Sequence, residues 1–193
     1  MIEHSAMKFR LELLMVCSLG AVLVTSNAVA GAGDMTDRDL AIEAVASFGG
    51  ELKQALTDAM SSSGPVAAID VCRLQAPAIA ARISERTGLR VARTSARTRN
   101  SGNAASDWQI AVLDGWQAQR AQGEDLRMAD YFEQRPDGGF RYMKPILTQP
   151  LCLTCHGAAL SPGVEAALAE SYPADRATGY AEGDIRGAFV VER

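Results

Sequence analysis

The segment Cys152-Leu153-Thr154-Cys155-His156-Gly157 constrains this chain more than any other stretch. Two thiols three residues apart share one side of a helical turn, and an imidazole follows directly. That spacing suits the two vinyl groups of one porphyrin, with the imidazole as an axial iron ligand, so the motif predicts a single covalently attached haem c. The chain is therefore expected to build its core around a cofactor. A bare CxxC also serves zinc sites, dithiols and disulfides. Zinc would need further Cys or His at matching spacing, and neither follows His156. A thioredoxin-like dithiol would sit near the front of a βαβ unit, whereas this motif follows most of the domain.

Export is the context in which a haem c is expected, and the N-terminus supplies it. Lys8 and Arg10 precede an apolar run from about Leu13 to Val24, and Ala28-Val29-Ala30 offers small residues for cleavage before Gly31. Residues 1–30 read as a secretory signal peptide, with Met7 as an alternative start that puts the basic residues at the amino terminus. The strongly apolar part is about a dozen residues, short of the roughly 20 a spanning helix needs, so membrane contact is confined to an uncleaved leader. Cys17 lies inside this run in a poor context for lipid attachment. Residues 31–193 then form one periplasmic domain. A formal net charge of -4 excludes a nucleic-acid footprint. Arg90, Arg93, Arg97 and Arg99 do cluster, but among Thr, Ser and Asn rather than aromatics. They read as solvated loop charges, or more sharply as partners of haem propionates or a docking patch.

Counting iron ligands narrows the chemistry. Beyond the leader His156 is the only histidine, since His4 precedes it, and bis-histidine ligation within one chain is excluded. The candidates for the opposite axial position are Met35, Met60, Met128, Met143, Lys53, Lys144 and Cys72, unless that position is open or water-filled. No methionine follows His156, so the order of a common small cytochrome c, with its motif early and its methionine downstream, does not apply.

Periodicity predicts an α+β domain with an antiparallel sheet. Thr36 can cap a helix over about Asp37 to Met60, with Leu40, Ile42, Val45, Phe48, Leu52 and Leu56 on one face and Gly49-Gly50 weakening its middle. A second helix begins at Pro65 and ends before Gly88, carrying Val66, Ile69, Ala76, Ile79, Ala80 and Ile83 on its apolar side and turning Cys72 inward. Leu89 to Ser95 alternates as a strand. Ser106 or Asp107 caps a third helix through Trp108, Ile110, Val112, Leu113 and Trp116. Met128 to Gln134 and Phe140 to Ile146 flank Arg135-Pro136-Asp137-Gly138-Gly139 as an antiparallel hairpin, and Gly187 to Val191 is a final strand. A four-helix bundle with a late haem motif would need a long helix where this turn stands.

Several segments in order closely resemble a family of exported haem c domains: Ala68-Ile69-Asp70-Val71-Cys72, Val91 to Ser95, Arg141 to Ile146, Cys152 to Gly157, Tyr172 to Tyr180 and Gly183 to Ala188. That family is long catalogued as a domain of unknown function and occurs as stand-alone cytochromes and as the sensory part of histidine kinases. The resemblance implies a PAS-like fold with N-terminal helices, a haem held by the C-terminal segment, and iron bound by His156 and Cys72. The chain departs from the pattern after Arg99-Asn100, where Ser101 and Ala105 stand in places that often hold proline. With no kinase segment after Arg193, sensing is expected to need a partner. Beside the resemblance, the count of thiols favours Cys72: once Cys152 and Cys155 are committed to thioethers, an exported chain leaves it unpaired. Met143, shortly before the haem segment, is the alternative.

An anionic thiolate stabilises ferric iron and lowers the reduction potential, which suits low-potential electron transfer with a redox partner protein. Release of the thiol on reduction would open a position for CO or NO, the basis of a redox or gas sensor. An enzyme of sulfur-compound oxidation is the third reading, with no acid-base constellation to support it. Arg141, Tyr142, Lys144 and Tyr180 are candidates for contacts to propionates or the haem edge, or else ordinary sheet and loop residues.

Overall fold

Thr36 starts the first helix because its side chain and that of Asp39 each bond the other's backbone N–H, satisfying two donors a helix start leaves free. The structure, a computed structural model, describes residues 35–193; the expected leader over residues 1–30, with His4, Lys8, Arg10 and Cys17, lies outside the described residues. Helix α1 runs Asp37–Asp70, but Gly64 leaves the helical region at φ 79° and Pro65 follows it, so the axis breaks and restarts where a second helix was expected. Ala41, Ala44, Val45, Phe48 and Leu52 form the buried face. Ile42 was expected on that face and is instead 44% exposed, because at about 100° per residue it falls off the row traced by 41, 44, 48 and 52.

A widened π turn, Val71–Gln75, follows, and then α2, Ala76–Thr87. Gly88 closes α2 with a left-handed φ of 70°. Ile69, Ala76, Ile79 and Ile83 are buried as their spacing predicts, while Val66 faces solvent. Helix α3, Asp107–Ala121, is capped by Ser106 with Gln109; α4, Pro150–His156, carries the cysteine motif. Helix α5, Pro162–Ser171, had no counterpart in the sequence expectation, since its two buried residues, Val164 and Leu168, make too short a pattern to read.

Strands β1 (Arg90–Thr94), β2 (Tyr131–Gln134), β3 (Phe140–Leu147) and β4 (Ile185–Glu192) form one antiparallel sheet in the order β1-β4-β3-β2. The β2–β3 hairpin turns at 135–139, where Gly138 takes φ 82°. The register pairs Tyr142 with Val191 and Met143 with Val190. Successive side chains point to opposite faces. Tyr142 and Val191 join Phe48, Ile79 and Ile83 under α1 and α2, and Met143 and Val190 join Leu113 and Trp116 under α3. The result is the α+β, PAS-like architecture expected, with helices on both faces of an antiparallel sheet.

Gly187, opposite Ile146, lets β1 and β4 close: a Cβ there would lie 2.3 Å from the Thr94 carbonyl oxygen. Gly187→Ala is expected to cost about 1–3 kcal/mol, read as a lower urea midpoint with an unchanged slope.

Candidate functional site

Pro150 suits the first turn of α4, where its missing N–H is not needed, and Cys152 and Cys155 then fall at i and i+3 on one side. Gly157 ends the helix by packing against it; a Cβ there would be 2.6 Å from the Leu153 carbonyl oxygen. Cys152, Cys155 and Cys72 are all free thiols. The π turn brings Val71 into the core and leaves Cys72 half-buried. Such turns add a residue to a helix and re-aim its side chains, and they are frequent at functional sites.

These residues meet in one pocket of about 290 Å³, walled by Leu52, Leu56, Ile69 and Phe189, into which Cys72, Cys152, Cys155 and His156 all open. The Phe48 and Phe189 rings, edge to face at 5.3 Å, brace the wall between α1 and β4. Arg93, Arg99 and Arg186 also line it. Burial pushes the Cys155 thiol up; Arg99 opposes this, and the neighbouring Cys72 and Cys152 add to it.

His156 is the most tightly specified group. Its Nδ1 lies 2.6 Å from the Ala177 carbonyl oxygen, which can only accept, so Nδ1 carries the proton and Nε2 keeps the lone pair, which Arg186 Nε approaches at 3.4 Å. Burial drives the His156 pKa down to about 2, helped by Arg186 and Arg99 and opposed by the Ala177 contact, so the ring is neutral. Arg186 lies against the imidazole, 3.1 Å from Nδ1 and 3.4 Å from Nε2, and donates to Ser95 Oγ. Arg99 is buried, paired with Asp175 at 2.9 Å, and donates to the Cys155 and Ala177 carbonyls.

The other sequence candidates scatter. Lys53 and Met60 line the pocket. Met35 and Met128 are exposed elsewhere. Met143, the alternative to Cys72, is fully buried on the α3 face of the sheet, in a different core cluster from the pocket wall. Arg141 was expected at the haem edge but stacks over Trp108 and faces Glu133 and Glu192, because its odd-numbered position in β3 points it toward α3. Tyr142 is core beneath α1, with its hydroxyl facing Asp130 and its pKa raised chiefly by burial. Lys144 donates to the Arg127 and Ala129 carbonyls. Each of these three side chains is engaged away from the pocket, as ordinary sheet residues are. Tyr180 stands beside the site, edge-on to His156 with ring centres 6.2 Å apart and Arg97 over its face.

Of the arginine cluster, Arg90 pairs with Glu192 at the surface, whereas Arg99 is structural and Arg93 faces the pocket. Sequence reasoning missed Arg186 and Asp175 as individual residues, although both lie in segments that carried the resemblance. The Ala177 carbonyl has no side-chain signal at all. Tyr142→Phe should lower stability by about 0.5–1.5 kcal/mol and leave the visible absorption spectrum of the protein unchanged.

No curated protein matches the chain. Among solved structures, the crystal structure of the cyanobacterial heme-protein Tll0287 shares the fold, with a TM-score of 0.58 at 24% identity, covering 78% of this chain and 92% of that one. Residues 23–193 match the Tll0287-like family over all the helices and strands described above, and the chain therefore belongs to the Tll0287-like family.

Proposed function

We propose that this protein is an exported monohaem c-type cytochrome, with haem bonded through Cys152 and Cys155, iron held between His156 and Cys72, and low-potential electron transfer as its role. One observation carries the reading: two free thiols on one helical face, an imidazole with its lone pair on Nε2, and a third thiol all open into the same largely apolar pocket. That donor set fits haem c, and among the described residues no cluster of His, Cys, Asp and Glu suits a bare metal ion. The shared fold with a heme-protein points the same way.

A bound haem supplies a one-electron ferric/ferrous couple. The residues of the chain shape it. Cys152 and Cys155 anchor the group, so affinity does not depend on the redox state. His156 is presented neutral, in the one tautomer that can ligate. Cys72 contributes an anionic sulfur that favours the ferric form. Leu52, Leu56, Ile69 and Phe189 give the site an apolar wall. Arg93 and Arg186 line the pocket without an ion-pair partner among the described residues, and are the natural counter-charges for two propionates.

A second reading, a redox or gas sensor, is favoured by the setting of Cys72. Its π turn lies a few residues after the break at Gly64-Pro65, in a helix interrupted on either side of 65–70. Such a segment can move Cys72 away from iron at less cost than a continuous helix.

Denatured protein should keep its haem and give a c-type pyridine haemochrome spectrum; haem that extracts into acidified solvent removes the covalent assignment. Cys72→Ser should abolish thiolate features in the ferric spectrum and raise the potential, and an unchanged spectrum would rule Cys72 out as ligand. Carbon monoxide added to the reduced protein separates the two readings: no binding supports the electron carrier, and rapid binding the sensor.

A further inference from the structure

We propose that Arg99 and Asp175 are positioning residues that set how strongly His156 donates to iron, by holding and polarising the one carbonyl that accepts its Nδ1 proton. This rests on the haem reading above.

Both backbone groups of Ala177 are held, one in each of its flanking peptides. Its carbonyl accepts from His156 Nδ1 at 2.6 Å and from Arg99 Nη2 at 3.3 Å. Its N–H donates to Asp175 Oδ1 at 2.8 Å, and the other Asp175 oxygen takes Arg99 Nε at 2.9 Å. Arg99 Nη2 also reaches the Cys155 carbonyl at 2.5 Å, so the same guanidinium ties the motif helix to the loop that orients the histidine. Ala177 is fully buried, and the Arg99 and Asp175 side chains are 8% and 12% exposed. Water therefore does not screen the exchange between them.

A carbonyl that accepts strongly draws the Nδ1 proton toward itself, makes Nε2 more basic and favours ferric iron. The Arg99 guanidinium competes for the lone pairs of that oxygen and restrains the effect. Asp175, accepting from Arg99 Nε at 2.9 Å, neutralises that guanidinium and so weakens its hold on the carbonyl, which is left a stronger acceptor for the imidazole. The two residues pull in opposite directions on one atom, and their pairing fixes the balance.

The test is the midpoint potential of the haem-loaded protein in the wild type and in Arg99→Gln, Asp175→Asn and the double variant. Arg99→Gln should shift the equilibrium about tenfold toward the ferric state, equivalent to about 59 mV for a one-electron couple. Asp175→Asn should shift it the other way, whereas a merely structural loosening would move both in the same direction. The double variant preserves net charge and leaves an amide oxygen to accept the Ala177 N–H. A through-space charge effect would leave its potential at the wild-type value; the carbonyl mechanism keeps it low. A wild-type potential in the double variant, with the haemochrome and low-spin spectra intact, overturns the proposal. Should Arg99→Gln not accumulate as folded protein, Asp175→Asn retains the Arg99 contacts, and its failure to raise the potential overturns it equally. A wild-type protein without a c-type haemochrome fails earlier, at the haem reading itself, and removes both.

Discussion

A buried ion pair, Arg99 with Asp175, is what the rest of the site depends on. Two charges this far from water persist only when their remaining donors and acceptors are satisfied, and here they are met by the Cys155 and Ala177 carbonyls and the Ala177 N–H. The same bonds that neutralise the pair join three stretches distant in sequence: the loop after β1, the motif helix and the loop before β4. Further backbone bonds lace that seam, from Arg176 N to Thr98 O, Gly179 N to Gly157 O and Tyr180 N to His156 O. His156 is thereby held from its backbone, its ring nitrogen and its flanking arginine at once, which fixes its tautomer and the direction of its Nε2 lone pair.

The sheet separates two environments, and that separation decides which candidates reach the pocket. Residues of β3 and β4 alternate between the α1–α2 face, which the pocket shares, and the α3 face. Met143 and Arg141 point to the α3 face, away from the pocket, although they stand only about ten residues before the cysteine motif. Tyr142 has the favourable parity but is packed solidly beneath α1, too far along the strand to open into the cavity. Closeness in sequence is a poor guide to closeness at the site, because a two-residue period reverses direction at every step.

The helices were legible where punctuation was strong. Thr36 with Asp39, Ser106 with Gln109, Gly88, and the Gly64-Pro65 break all act through local backbone chemistry and read directly from neighbouring residues. So did the hairpin at 135–139. The π turn at Cys72 did not, since an extra residue in a helix leaves no compositional trace and reflects the packing of Val71 and Ala76 against the core. Helix α5 was missed because it is short and packs only Val164 and Leu168 into a small cluster with Ile69 and Tyr172.

By itself the sequence determined the chemistry on offer: two thiols and an imidazole at porphyrin spacing and, over residues 31–193, no second histidine and one further thiol at Cys72. Those are facts of covalent spacing and of counting, and no fold can change them. Only the tertiary structure decided which of the remaining methionines, lysines and arginines share a cavity with that motif, which ring nitrogen of His156 is free, and that a backbone carbonyl on Ala177 controls it. Every peptide carries that same carbonyl. What singles this one out is its burial between a histidine, an arginine and an aspartate that meet only when the chain is folded.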